Sequence, residues 1–187
     1  MESFSIRLTQ TTDLPLIQAI EVASCQAFRA LGMSVIADDP PLSLESLMVY
    51  HQAEHAWVAV PSGDDDKPIA YILVYVVHND GLEGWRCAFI HQVTVLPDYS
   101  CRGIGKALIE HVAEWARKNG MRALDLTTFV DVPWNKPYYE RLGFLVVDEE
   151  TLLCNHAVGL RRVILCERQD KVLGNWPRVA MRKSLDN

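Results

Sequence analysis

Apolar and polar positions alternate from Phe4 to Thr9, the period of a strand with one buried face. From Asp13 to Phe28 the apolar positions recur at helical spacing instead. Asp13 is the expected N-cap, and Pro15 is tolerated in the first turn. Asp38-Asp39-Pro40-Pro41 interrupts the chain, and Ser43 is the expected cap of a second helix reaching Gln52. Ala56–Val60 reads as a strand. Ile69–Val77 is almost wholly apolar and rich in β-formers, which predicts a central strand covered on both faces. The turn between them carries Asp64, Asp65 and Asp66, best read as a solvated acidic cluster. The stretch 78–84 reads as a hairpin loop leading back into a strand over Cys87–Val95, which Pro97 ends.

The strongest helical pattern follows. Ile104, Leu108, Val112 and Trp115 form its apolar stripe, and Lys106, Glu110, Glu114 and Lys118 its polar side, with Glu114 and Lys118 at i,i+4. Asn119-Gly120 is a stop signal. A strand is expected over Ala123–Phe129, a short helix over Tyr138–Leu142 ending at Gly143, and a strand over 144–149. A helix weakened by Gly159 is expected within 156–174, and a last strand over 177–185. Strands alternating with helices, two of them joined by a hairpin, predict one α/β domain spanning 1–187 with a mixed central sheet flanked by helices.

Composition narrows the classes of function. Of the 187 residues, 49% are hydrophobic and 22% charged, with a net charge of −6, the balance of a globular domain. This charge disfavours broad binding to nucleic-acid phosphates and slightly favours a cationic substrate. The five cysteines are widely spaced without a C-x-x-C, so neither a zinc site nor a disulfide framework is suggested. Neither a signal peptide nor a membrane-length apolar run is seen. No metal, no membrane partner and a cytoplasmic location are therefore expected.

The chemistry concentrates in Ser100-Cys101-Arg102-Gly103-Ile104-Gly105-Lys106. A helix start offers unpaired N–H groups and a partial positive charge, and glycines let a ligand approach the backbone. Gly-x-Gly alone also describes a plain turn. A dinucleotide fingerprint needs a third glycine where Leu108 stands, so a nicotinamide-dependent oxidoreductase is disfavoured. The wider pattern is more specific. Val93-Thr94-Val95-Leu96-Pro97, then Gly103-Ile104-Gly105 before a long helix, then Tyr138-Tyr139-Glu140-Arg141-Leu142-Gly143-Phe144 stand in order. Over residues 88–148 the chain resembles the GNAT superfamily of N-acetyltransferases, which implies a partly splayed sheet and acetyl-CoA as co-substrate.

The resemblance implies roles. The backbone of Val93, Thr94 and Val95 would pair with the pantetheine arm, and N–H groups from Cys101, Arg102, Gly103, Ile104, Gly105 and Lys106 would hold the pyrophosphate. Tyr139 aligns with the acid toward the leaving thiolate, with Tyr138 as its competitor. His91 holds the position of the base, against the alternative of a core histidine, and Asn135 resembles a cofactor contact. Gln92 is expected on the opposite face of the strand, in a structural role. Ser100 departs from the family, which carries Arg or Gln there; Arg102 is the candidate replacement for that charge. Cys101 beside Arg102 has the setting of an activated thiol, but a small loop residue is the plainer reading. Trp85, Trp134 and Trp176 are candidate pocket aromatics or structural plugs. The implied reaction is acetyl transfer to a primary amine of a small molecule or peptide in a ternary complex, with room for a homodimer. The alternative is a non-catalytic domain that binds acyl-CoA as a sensor or interaction module.

Overall fold

The computed structural model describes residues 3–63, 66–78 and 85–186. Residues 79–84 of the expected hairpin loop and the acidic residues Asp64 and Asp65 lie outside them. Seven strands form one sheet in the order β1-β2-β3-β4-β5-β7-β6: β1 Phe4–Leu8, β2 Ala56–Pro61, β3 Ala70–His78, β4 Arg86–Val95, β5 Ala123–Phe129, β6 Leu145–Val146 and β7 Arg178–Ser184. The helices are α1 Leu14–Cys25, α2 Ser34–Ala37, α3 Leu44–Gln52, α4 Ile104–Lys118, α5 Lys136–Arg141, α6 Glu149–Leu152 and α7 Val158–Gln169. The mixed α/β class expected from the sequence is thus realised. Contacts divide the chain into two compact units, 1–75 with 91–112 and 76–90 with 113–187.

In the first unit β1 and β2 are antiparallel, as are β2 and β3. Leu14, Ile17 and Ile20 of α1 and Leu47 of α3 pack on Ala56, Val58 and Val60 of β2 and on Tyr71 and Leu73 of β3. Alternate strand residues share a face, so α1 and α3 cover one side of these strands together. Ser43 caps α3 as expected, its Oγ accepting from the Ser46 N–H at 3.1 Å. Asp13 does not cap α1. Its carboxylate takes the Arg7 guanidinium at 2.6 Å and the Gln10 N–H at 2.7 Å, and so closes the 3-10 turn before the helix. Asp66 also accepts from Arg7, a structural use of the one described member of the acidic cluster.

In the second unit β4 pairs in parallel with β5, and β5 runs antiparallel to β7 from Ala123↔Ser184 to Phe129↔Arg178. The expected strand over 144–149 shrinks to Leu145–Val146. Gly143 turns the chain at φ +87°, and Asp148 leaves the strand to cap α6, its carboxylate accepting from the Thr151 N–H at 2.7 Å. The helix expected within 156–174 spans Val158–Gln169. It ends where Asp170 accepts from the N–H groups of Val172 and Leu173. Arg182 of β7 meets Asp125 of β5 through two 2.7 Å bonds and also donates to the His156 carbonyl. Asp125 is 1% exposed. Burial pushes its carboxyl up, while the guanidinium pulls it down.

Candidate functional site

The parallel pairing of β4 with β5 is confined to Cys87↔Ala123, Ala88↔Leu124 and Phe89↔Asp125. From Ile90 onward β4 has no ladder partner on that edge among the described residues, so its backbone groups there can receive an extended ligand. Val93, Thr94 and Val95 lie in this stretch, half-buried. One acceptor is engaged already: the Val95 carbonyl takes a 3.0 Å bond from Ser24 Oγ of α1.

Past β4 the chain makes a short 3-10 turn over Pro97–Tyr99, and Ser100 remains extended. Cys101 then adopts φ +61° and Gly103 φ +81°. Left-handed backbone suits glycine and strains a cysteine. These reversals aim the chain into α4. The Gly103 carbonyl accepts from the Ala107 N–H at 3.0 Å, so the N–H groups of Ile104, Gly105 and Lys106 have no acceptor within the helix. No acidic residue stands in that first turn. Ile104 is buried and pins the helix, while Arg102 and Lys106 are exposed. A cradle of N–H groups at the positive end of a fifteen-residue helix fits a pyrophosphate.

Arg102 does not extend along the loop. Its guanidinium folds back onto the preceding turn, donating to the Asp98 carbonyl at 2.9 Å and lying 5.1 Å from the Tyr99 ring centroid. Lys106 is 3.6 Å from Glu110.

His91 is exposed, which removes the reading of it as a core residue. Its ring centroid lies 5.6 Å from that of Tyr50 on α3 and 6.2 Å from that of Tyr75 on β3. Gln92 was expected on the opposite face, yet it donates to Glu21 of α1 at 2.8 Å. Because α1 and α3 cover the same side of these strands, both neighbours reach one helical layer, and strict alternation fails at this pair.

Glu21 is the residue that sequence reasoning missed. Its carboxylate also accepts from the Leu42 N–H at 3.3 Å, and burial pushes its pKa up. The neighbouring Tyr71 hydroxyl and Gln92 Oε1 are buried without a hydrogen bond of normal geometry. A signal existed: Glu21 stands four positions after Ile17 and seven after Leu14, on the buried stripe of α1.

Tyr139 and Asn135 belong to the second unit. The Asn135 carbonyl begins α5, accepting from the N–H groups of Tyr138 at 2.9 Å and Tyr139 at 3.1 Å. The half-buried Tyr139 ring meets Tyr138 and Phe144 edge-on, at 5.4 and 5.8 Å between centroids. Burial, reinforced by Tyr138, pushes the Tyr139 phenol well above its usual range, and Arg178 pulls the other way. The phenol therefore stays protonated at neutral pH and able to donate. Trp85 packs on His156 and Trp176 on Phe129. Trp134 is 43% exposed.

Comparison with known proteins agrees with this arrangement. The model of the acetyltransferase (GNAT) family matches residues 22–144. An uncharacterized N-acetyltransferase of Methanocaldococcus jannaschii, MJ1207, is 36% identical over 78 residues, 42% of this chain and 34% of that protein. The matched stretch thus spans about a third of its relative. Among solved structures, the ribosomal-protein-S18-alanine N-acetyltransferase of Escherichia coli superposes with a TM-score of 0.65 at 20% identity, covering 99% of this chain and 96% of that one. The PaiA N-acetyltransferase of Thermoplasma acidophilum, solved with coenzyme A, gives 0.67 at 19% identity, covering 97% and 99%. These two likenesses speak for the fold. Among the described residues no helix is long and apolar enough to cross a membrane.

Proposed function

Because the chain belongs to the GNAT acetyltransferase family, we propose that it transfers the acetyl group of acetyl-CoA to a primary amine by direct attack. The observation that carries this reading is the loop before α4, where left-handed Cys101 and Gly103 deliver the N–H groups of Ile104, Gly105 and Lys106 with no intrahelical acceptor. These groups are the proposed holders of the pyrophosphate; Arg102, folded onto Asp98 and Tyr99, adds its charge only by swinging out of that contact. The open edge of β4 at Val93–Val95 is the proposed seat of the pantetheine arm, and Asn135 is a proposed further contact. Bound acetyl-CoA supplies a thioester carbon open to attack by a neutral amine.

The rest falls to side chains. An ammonium must lose a proton before its nitrogen can attack. His91, exposed on β4, is the proposed acceptor of that proton, since an imidazole titrates near neutrality. Tyr139, held protonated by its surroundings, is the proposed donor to the departing sulfur. The N–C bond forms, the C–S bond breaks, and one proton passes to solvent for each turnover.

The experiment is a thiol-release screen of the purified protein with acetyl-CoA and a panel of amines, polyamines, aminoglycosides and peptides, with products identified by mass. Free CoA is expected in step with acetylated amine. Saturable acetyl-CoA binding with no release for any amine would overturn the enzymatic reading in favour of a binding module.

A further inference from the structure

The first unit contains two recesses of similar size, and they differ in electrostatic character. One, about 320 Å³, is bordered by Phe4, Pro61, Ile69, Tyr99 and Arg102. A guanidinium at its wall repels any cation. The other, about 310 Å³, lies between the C-terminal half of α3 and strand β3, lined by Val49, Tyr50 and Ala53, by Val74 and Tyr75, and by His55. Resting on the acetyltransferase reading, we propose that this second recess binds the apolar part of the amine acceptor and that Tyr50 and Tyr75 present its ammonium to His91.

Three features support this assignment. First, Tyr50 and Tyr75 line the recess and their rings also meet His91, at 5.6 and 6.2 Å. The recess therefore adjoins the proposed proton acceptor. Second, its walls suit an amphiphilic cation. Val49 is 67% exposed at the rim, an apolar surface available to a ligand. Aromatic faces attract an ammonium. Burial lowers the His55 pKa, so this imidazole is neutral at pH 7 and does not repel the ligand. Third, the recess lies at the negative end of α3. The turn there closes with the Glu54 N–H donating to the His51 carbonyl and the His55 N–H to the Tyr50 carbonyl. The left-handed position in this turn (φ +57°) is one that glycine usually fills, and here it is Glu54. Glu54 is exposed and stands between Ala53 and His55, which both line the recess, so a carboxylate adjoins it in the chain.

The predicted acceptor class is a primary amine bearing a compact apolar or aromatic group. Two sources share that chemistry, a free arylalkylamine and a peptide with an apolar N-terminal residue. Polyamines and aminoglycosides lack the apolar part. The test compares phenethylamine and a Phe-Ala-Ala peptide with ethanolamine and a Gly-Ala-Ala peptide. It reads kcat/KM by thiol release and, separately, binding by NMR titration without acetyl-CoA. The apolar members are expected to be preferred by about tenfold or more, and the favoured arm identifies the source. Val49→Lys, at an exposed position, is expected to erase that preference in both readouts while its melting transition stays in place. Tyr75→Leu keeps the wall apolar and is expected to weaken phenethylamine binding by loss of the ring face. Equal handling of apolar and polar amines, or a preference that survives Val49→Lys, would overturn the assignment. Selective phenethylamine binding without turnover would keep the recess and instead remove the acetyltransferase reading.

Discussion

Replacing Tyr139 by phenylalanine is expected to lower turnover by about 10²–10⁴-fold, the span of a single general acid, with little change in acetyl-CoA affinity. The substitution removes one oxygen and keeps the ring that packs edge-on against Tyr138 and Phe144, so the fold of α5 is retained. The effect follows from the environment of the phenol. Burial and Tyr138 raise its pKa while Arg178, itself held by Glu167 through 3.0 and 3.1 Å bonds, draws it back. A phenol in that setting is a proton donor across the neutral range. Tyr138→Phe is the control and is expected to leave turnover within a fewfold of the parent. Stopped-flow release of CoA thiol measures both. Equal rates for Tyr139→Phe and the parent would assign the acid elsewhere.

Arg182→Met is expected to cost about 3–5 kcal/mol of stability, read from denaturant unfolding, because it leaves Asp125 charged and buried without its guanidinium partner. That is a large share of the roughly 5–15 kcal/mol that holds a domain together. Asp125 is 1% exposed and takes two 2.7 Å bonds from Arg182; met by a thioether, it keeps only the lesser support of the Cys87 thiol and His156 against desolvation. Burial already pushes its carboxyl up, and without the guanidinium it rises further. A carboxyl with a raised folded-state pKa contributes stability when protonated and loses it as the pH climbs. The Arg182→Met deficit is thus expected to be largest near neutrality and to shrink as the pH falls toward the carboxylate range. A double variant, Arg182→Met with Asp125→Leu, is expected to recover much of the loss, since an apolar pair can replace a buried ion pair. A deficit that does not vary with pH would point to lost packing rather than a stranded charge.

How far the site could be read in advance depended on the range of the interactions. The loop before α4 was legible because its requirements are local: glycine at the left-handed position 103, an apolar stripe at Ile104 and Leu108, no acidic residue in the first turn. The strands Ala56–Pro61, Arg86–Val95 and Ala123–Phe129 were legible from runs of β-formers bounded by turns. What stayed hidden depends on distant partners. Glu21 meets Gln92 across 71 positions, and Arg182 meets Asp125 across 57; periodicity assigns such residues a face but not a partner. The same limit misplaced Asp13, whose carboxylate is claimed by Arg7 before it can cap α1. It also hid the character of His91, exposed among the rings of Tyr50 and Tyr75, which come from a helix and a strand elsewhere in the chain. The short β6 was over-read because an apolar run says nothing of where Asp148 will turn to cap a helix.

The central claim is that the N–H cradle at the start of α4 holds the anion of acetyl-CoA, and Gly105→Glu tests it. Gly105 is half-buried in the first turn of α4, and a glutamate there brings a carboxylate to the same positive helix end as the pyrophosphate. In calorimetric titration with acetyl-CoA the parent is expected to bind one equivalent saturably, and Gly105→Glu to bind more weakly by about 10–100-fold or more, as like charges meet. A parent that does not bind acetyl-CoA, or a variant that binds it as tightly as the parent, would contradict the account.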